Sequence, residues 1–168
     1  MKQKEKVLTK AVVLELGLDK VDVITSDMIE GYTSIACGAF EDCLSLTSIS
    51  IPDDITSIGS WTFKGCSSLA SITLPNSITS IRDWMFSGCS SLTSITLHNS
   101  VTKIEDWAFS GCSSLASINI PNSVKSIGGY AFSDCSSLSS INIPNSVKSI
   151  GEFAFYNVPN VVYNGSAT

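Results

Sequence analysis

Five cysteines fall at 43, 66, 89, 112 and 135, always 23 residues apart, and a sixth stands alone at Cys37. Regular thiols invite two kinds of chemistry, disulfide formation and metal binding. Neither suits a row. Strands in neighbouring coils would lie about 4.8 Å apart, close enough to bridge, yet in-register side chains point the same way and favour no bond. An odd number cannot pair fully. Zinc asks for ligands gathered around a point, not strung along a line, and no His shares the row. The row therefore reads as small side chains packing an inner turn. Cys37 occupies the slot held later by Ser60, Asp83, Asp106, Gly129 and Glu152. It is expected to be exposed and oxidisable. Reduced thiols of this kind suit a reducing compartment.

Two further rows carry chemistry of contact instead of reaction. Trp61, Trp84, Trp107, Tyr130 and Phe153 keep the same spacing, each two residues before a repeated Phe. Two readings stand for them: an exposed aromatic ribbon that meets sugar faces or a partner protein, or a shield that covers the Phe row. The other row alternates with buried aliphatics: Ser48 and Ser50, Ser71 and Thr73, Ser94 and Thr96, Ser117 and Asn119, Ser140 and Asn142. It is flat, uncharged and rich in hydroxyls. Either it solvates an open sheet or it offers a grid to a repetitive ligand such as a polysaccharide. Candidate binding residues are thus Trp61, Trp84, Trp107, Tyr130, Phe153, Ser71, Thr73, Ser94, Thr96, Asn119 and Asn142.

Catalysis finds little support. The chain has one His, so no Ser-His-Asp set is available, and no phosphate loop or metal signature appears. His98 stands where Pro stands at 52, 75, 121 and 144, and reads as a turn residue. Asp83 and Asp106 adjoin one coil apart, but two like charges without a pocket make no acid–base pair. Arg82 and Glu105 are expected to pair at the surface. The reading is of a chain that is no enzyme and needs no cofactor.

What positions these rows is a repeat of 23. Phe recurs at 40, 63, 86, 109, 132 and 155, Leu at 46, 69, 92, 115 and 138 with Val161 in the next slot, and Ile at 49, 72, 95, 118 and 141. A second Ile row runs 35, 58, 81, 104, 127 and 150. Such a period means a stacked solenoid whose units bury their apolar faces only against one another. Within one unit, Ser71-Ile72-Thr73-Leu74 alternates as a strand with one buried face. Pro75-Asn76-Ser77 turns the chain. Thr79-Ser80-Ile81 is a second extended piece, and Trp84-Met85-Phe86 is expected to make one helical or 3₁₀ turn closed by Gly88. Five full units are expected, with partial units at both ends.

The pattern Leu-x-x-Ile-x-Leu-Pro-x-x-Ile-x-x-Ile-x-x-x-x-Phe-x-x-Cys resembles the BspA-like, or Treponema pallidum-type, leucine-rich repeats over about residues 28–163. The resemblance implies a right-handed superhelix with short parallel strands on the concave side and short strands or 3₁₀ turns on the convex side. It also implies kinship with bacterial surface and host-attachment proteins that share no catalytic activity.

Around the repeat, residues 1–27 are expected to form an N-terminal cap, 28–163 the solenoid and 164–168 a tail. Thr9 would cap a helix over Lys10 to Leu16, stopped by Gly17, with Val12, Val13 and Leu16 covering the first coil. Val21-Asp22-Val23-Ile24 reads as the first strand. Met1-Lys2-Gln3-Lys4-Glu5-Lys6 opens like a signal peptide, but Lys10 and Glu15 interrupt the apolar stretch beyond it and no cleavage site is seen. Compartment is therefore open between cell surface, secretion and cytoplasm. Net charge is −5 with 15% charged residues, which lacks the basic stripe that nucleic acid or an anionic membrane requires. No run of 18 apolar residues spans a membrane. Partners are expected to be a protein or a glycan, or a second copy of the chain docked on an uncapped C-terminal coil. Asn164-Gly165-Ser166 matches a glycosylation sequon.

Overall fold

In the computed structural model, residues 5–163 are described; the expected tail and its sequon lie outside them. The chain winds through about seven turns of parallel strands. One row of strands comprises β2 (Val23–Ile24), β4 (Ser48–Ser50), β6 (Ser71–Thr73), β8 (Ser94–Ile95), β10 (Ser117–Ile118), β12 (Ile141–Ile143) and β14 (Val161–Tyr163). The other comprises β1 (Val7–Leu8), β3 (Ser34–Ile35), β5 (Ser57–Ile58), β7 (Ser80–Ile81), β9 (Lys103–Ile104), β11 (Ser126–Ile127) and β13 (Ser149–Ile150). Both rows pair in parallel. Within the repeat the partners are 23 apart, such as Ile49 with Ile72 and Ile81 with Ile104.

The strands are two or three residues long because the repeat supplies only one or two inward aliphatics before each turn. Ile72 points in between exposed Ser71 and Thr73. The core is a set of one-residue columns running the length of the molecule: Phe, Cys, Leu and two of Ile. Phe40, Phe63, Phe86, Phe109, Phe132 and Phe155 stack face to face with centroids 5.2–5.6 Å apart.

The cysteine column is inside it. Cys43, Cys66, Cys89, Cys112 and Cys135 are buried and unbridged, while Cys37 is exposed. Each of the last four thiols donates to the carbonyl of the Phe 26 residues earlier, as Cys66 Sγ does to Phe40 O at 3.0 Å and Cys112 Sγ to Phe86 O at 3.2 Å. Burial pushes the Cys66 and Cys135 thiols up to about 12. They stay protonated and serve as clamps between coils.

Several sequence expectations are corrected. Trp84-Met85-Phe86 forms no continuous helix but separate turns of 3₁₀ type, with Ser87 N donating to Trp84 O and Gly88 left-handed. Amides take turns instead: Met85 N donates to Arg82 O within its own turn, whereas Trp84 N and Phe86 N donate to Asp106 O and Ala108 O of the next coil. Helix α1 (Lys10–Glu15) carries the Thr9 cap, whose side chain accepts from Val12 N, and Gly17 is left-handed. Val13 is buried, but Leu16 is exposed, because it falls beyond the face that meets the core. The first strand is β1, not Val21–Ile24. Val161 does not continue the Leu column; it pairs with Ile141, 20 residues back. Pro159-Asn160 stands where the coil before has five residues, Ser136 to Ser140, so the last turn is shorter by three. Glu105 accepts from Ser80 Oγ at 2.6 Å. Among the described residues the one ion pair is Lys64 with Glu41, and Arg82 and Glu105 make none.

No helix is long and apolar enough to cross a membrane among the described residues.

Candidate functional site

The aromatic row departs most from what local chemistry favours. Trp61, Trp84, Trp107, Tyr130 and Phe153 all have left-handed backbone, with φ between 53° and 61°. Bulky residues avoid that region because Cβ crowds the following carbonyl, at roughly 1–2 kcal/mol each. In the earlier coil the same slot is Gly38, with φ of 63°. The geometry is imposed by the coil: the amides of the first four donate to a carbonyl of the next coil, as Trp61 N does to Asp83 O and Tyr130 N to Glu152 O. A neighbouring left-handed row, Asp42, Gly65, Gly88, Gly111, Asp134 and Asn157, is filled only by residues that tolerate it. The contrast singles out the aromatic column.

Four of the rings form a continuous stack. Trp84 and Trp107 lie 4.7 Å apart, Trp107 and Tyr130 4.1 Å, and Tyr130 and Phe153 5.2 Å. Trp61 stands apart from it, 47% exposed. In its place Lys64 Nζ sits 5.8 Å from the Trp84 ring centre. Trp84, Trp107 and Tyr130 are half-buried, and Phe153 is exposed at the far end. Because the faces of the stacked rings meet one another, the column presents edges outward. Sugars dock on aromatic faces, and inside the stack none is free; with Lys64 over Trp84, the open rings are the exposed Trp61 and Phe153.

The hydroxyl row is exposed as well. Ser71, Thr73, Ser94, Thr96, Asn119 and Asn142 all reach solvent, and Ser94 lies directly beside Ser117. The ladder lapses between β6 and β8 and again between β10 and β12. The row is thus not backed by one continuous hydrogen-bonded sheet.

Beside the aromatic column lies an open groove of about 380 Å³ that the sequence reading passed over. It is lined by Asp83, Glu105, Asp106, Gly128, Gly129, Ile150 and Gly151, while Ile104 and Ile127 at its edge keep their side chains buried in the core. The signal was present in the rows: Gly128 and Gly129 stand where the previous coil has Glu105 and Asp106. Asp83 Oδ1 accepts from Asp106 N at 3.1 Å and Asp106 Oδ1 from Gly129 N at 2.7 Å. Each carboxylate braces the next coil with one oxygen. Partial burial and the nearby Glu105 raise the Asp83 carboxyl above its usual range. Among the described residues no three His, Cys, Asp or Glu gather as a metal site.

Comparison with known proteins places this geometry. The model of the BspA-type leucine-rich repeat region matches residues 33–162 in 6 copies. The chain belongs to this family. Leucine-rich repeat proteins of the kind are typically binding modules. Among solved structures, a leucine-rich repeat protein from Eubacterium ventriosum is 32% identical with a TM-score of 0.71, over 77% of this chain and 35% of that one. One from Bacteroides ovatus is 30% identical with a TM-score of 0.62, over 77% of this chain and 40% of that one. A leucine-rich cell surface protein from Faecalibacterium prausnitzii is 32% identical with a TM-score of 0.60, over 86% and 32%. This BspA-type chain spans well under two thirds of each. No curated protein matches it.

Proposed function

We propose that this BspA-type chain is a non-catalytic binding module that holds a partner protein against its aromatic column. The observation that carries the reading is the left-handed backbone of Trp61, Trp84, Trp107, Tyr130 and Phe153. Strain at exposed or half-exposed rings is what contact surfaces retain and cores avoid. Ring edges side by side give a partner a rigid apolar strip with little conformational freedom to lose. The lack of free ring faces inside the stack favours a protein over a glycan. Ser71, Thr73, Ser94, Thr96, Asn119 and Asn142 form a second, weaker contact.

In this reading the solenoid is right-handed, and residues 1–27 close its N-terminal end with α1 and contribute their own strands. One similar structure is described as a cell surface protein, which supports a surface role here. The alternative is assembly of two copies through the last coil, where Ile150, Phe153, Tyr156 and Val162 are exposed.

The test is a variant with Trp84, Trp107 and Tyr130 replaced by Ser, probed beside wild type on protein and glycan arrays. Loss of protein signals with the circular dichroism spectrum retained supports the column. Unchanged signals remove it, and glycan signals lost alone reverse the choice of partner. A sedimentation equilibrium run in which wild type stays monomeric at high concentration removes the assembly alternative.

A further inference from the structure

The aromatic column carries polar groups that its own fold leaves unused, and we infer that it takes a proline-rich segment of the partner protein in the polyproline II conformation. The inference rests on the reading that the column is the contact surface. Stacking hides the ring faces, so the column offers its edges and the polar atoms on them.

Those polar atoms are donors. Among the described residues no hydrogen bond engages the Nε1 of Trp84 or Trp107 or the hydroxyl of Tyr130. All three side chains are half-buried, yet none of these atoms is enclosed, so each N–H or O–H opens to solvent. An indole N–H donates and never accepts. The ring edges beside it carry the positive side of the aromatic quadrupole, which also favours an oxygen. The strip therefore calls for carbonyl acceptors and offers little to a donor. Asp83 and Asp106 immediately precede Trp84 and Trp107 in the chain and oppose an acidic segment, so the acceptors are neutral.

A proline-rich chain answers each of these demands. Proline has no N–H, so no donor is left unpaired against the strip, and its carbonyls make no bonds within a polyproline II helix. An ordinary segment brings one N–H for every carbonyl and would set donors against donors. The spacing fits too. Ring centres step by 4.7 Å from Trp84 to Trp107 and by 4.1 Å from Trp107 to Tyr130. Two such steps come close to one turn of polyproline II, roughly 9.3 Å for three residues. Carbonyls one turn apart thus meet the donors of Trp84 and Tyr130, with pyrrolidine rings over the edge of Trp107 between them. The helix is formed before it binds, so little conformational entropy is lost.

The experiment is fluorescence anisotropy of fluorescein-labelled decaproline, with a labelled Gly-Ser repeat peptide of equal length as control. The decisive variant is Trp84→Phe with Trp107→Phe and Tyr130→Phe, which keeps a stack of rings and removes every donor. Phe153 already holds the left-handed slot, so the substitutions suit the backbone. Wild type should bind decaproline and not the Gly-Ser peptide. The Phe variant should bind decaproline about tenfold more weakly, with its far-ultraviolet circular dichroism unchanged. Absence of binding by wild type overturns the proposal. So does equal binding of the two peptides, or binding retained within about twofold by the Phe variant. If the triple Phe variant fails to fold, Trp84→Phe alone decides: a loss of about threefold is expected, and no loss overturns the proposal. A partner protein lost on the triple Ser variant, yet held by the Phe variant and not displaced by decaproline, keeps the column as the contact surface and overturns the polyproline reading.

Discussion

Thiols and indoles in this chain are set by their neighbours more than by their own chemistry. Cys66 and Cys135 are pushed up to about 12 by burial, so almost no thiolate exists at neutral pH. A disulfide reagent at pH 8 is expected to titrate Cys37 quickly and the other five only in denaturant; more than one fast thiol would contradict the buried column. The aromatic slot offers a second check. Trp61 has the left-handed backbone without the stack, whereas Trp107 has a ring on each side. Trp61→Gly relieves strain and forfeits little, so it should change stability by less than about 1 kcal/mol. Trp107→Gly loses two stacking contacts of about 0.5–1.5 kcal/mol each besides burial. It should lower stability clearly in urea titration, and equal effects for the two variants would refute this account of the column. The row was visible in the sequence as a spacing, but its backbone was not, since Trp is among the last residues to suggest a left-handed turn. Gly38 in the first copy of the slot was the one clue.

Elements here are legible where side chains alternate and illegible where coils touch. Ser-Ile-Thr and Ser-Ile announced the strands, and the turns came from Pro and Asn. The register of the last coil did not, because counting by 23 ignores that Pro159-Asn160 removes three residues from the turn. The groove escaped for a related reason: a glycine in a row of repeats looks like a gap and not like a shape. Close approach of coils gives the next test. Gly151→Ala would push a Cβ to 2.2 Å from the backbone of Gly129, and should destabilise by at least about 1–3 kcal/mol. Gly129→Ala, with 3.4 Å of clearance, should stay within about 0.5 kcal/mol. Thermal denaturation of the two variants side by side measures the difference. If both are tolerated, the coils are looser than the columns imply.

For the whole molecule, stability runs along the stack. Every column joins a coil to its two neighbours and to nothing else, as in other linear repeats. Phe86 and Phe109 are in direct contact at 5.4 Å, while Phe40 and Phe132 are four coils apart. Each Phe→Ala change should cost about 3–5 kcal/mol. The adjacent pair should show a coupling of at least about 0.5 kcal/mol, and the distant pair should add within that margin. Strong coupling between Phe40 and Phe132 would mean that the stack melts as one unit and that its parts have no separate stabilities.

The pairing of Trp84 with Trp107 has an optical side. Two indoles 4.7 Å apart and 8° from parallel lie close enough for their transition dipoles to couple. A partner that wedges into the column or shifts one coil against the next would break that coupling before it changed any strand. The molecule thus carries a built-in spectral gauge of its own contact surface, readable as an exciton feature in near-ultraviolet circular dichroism without any label.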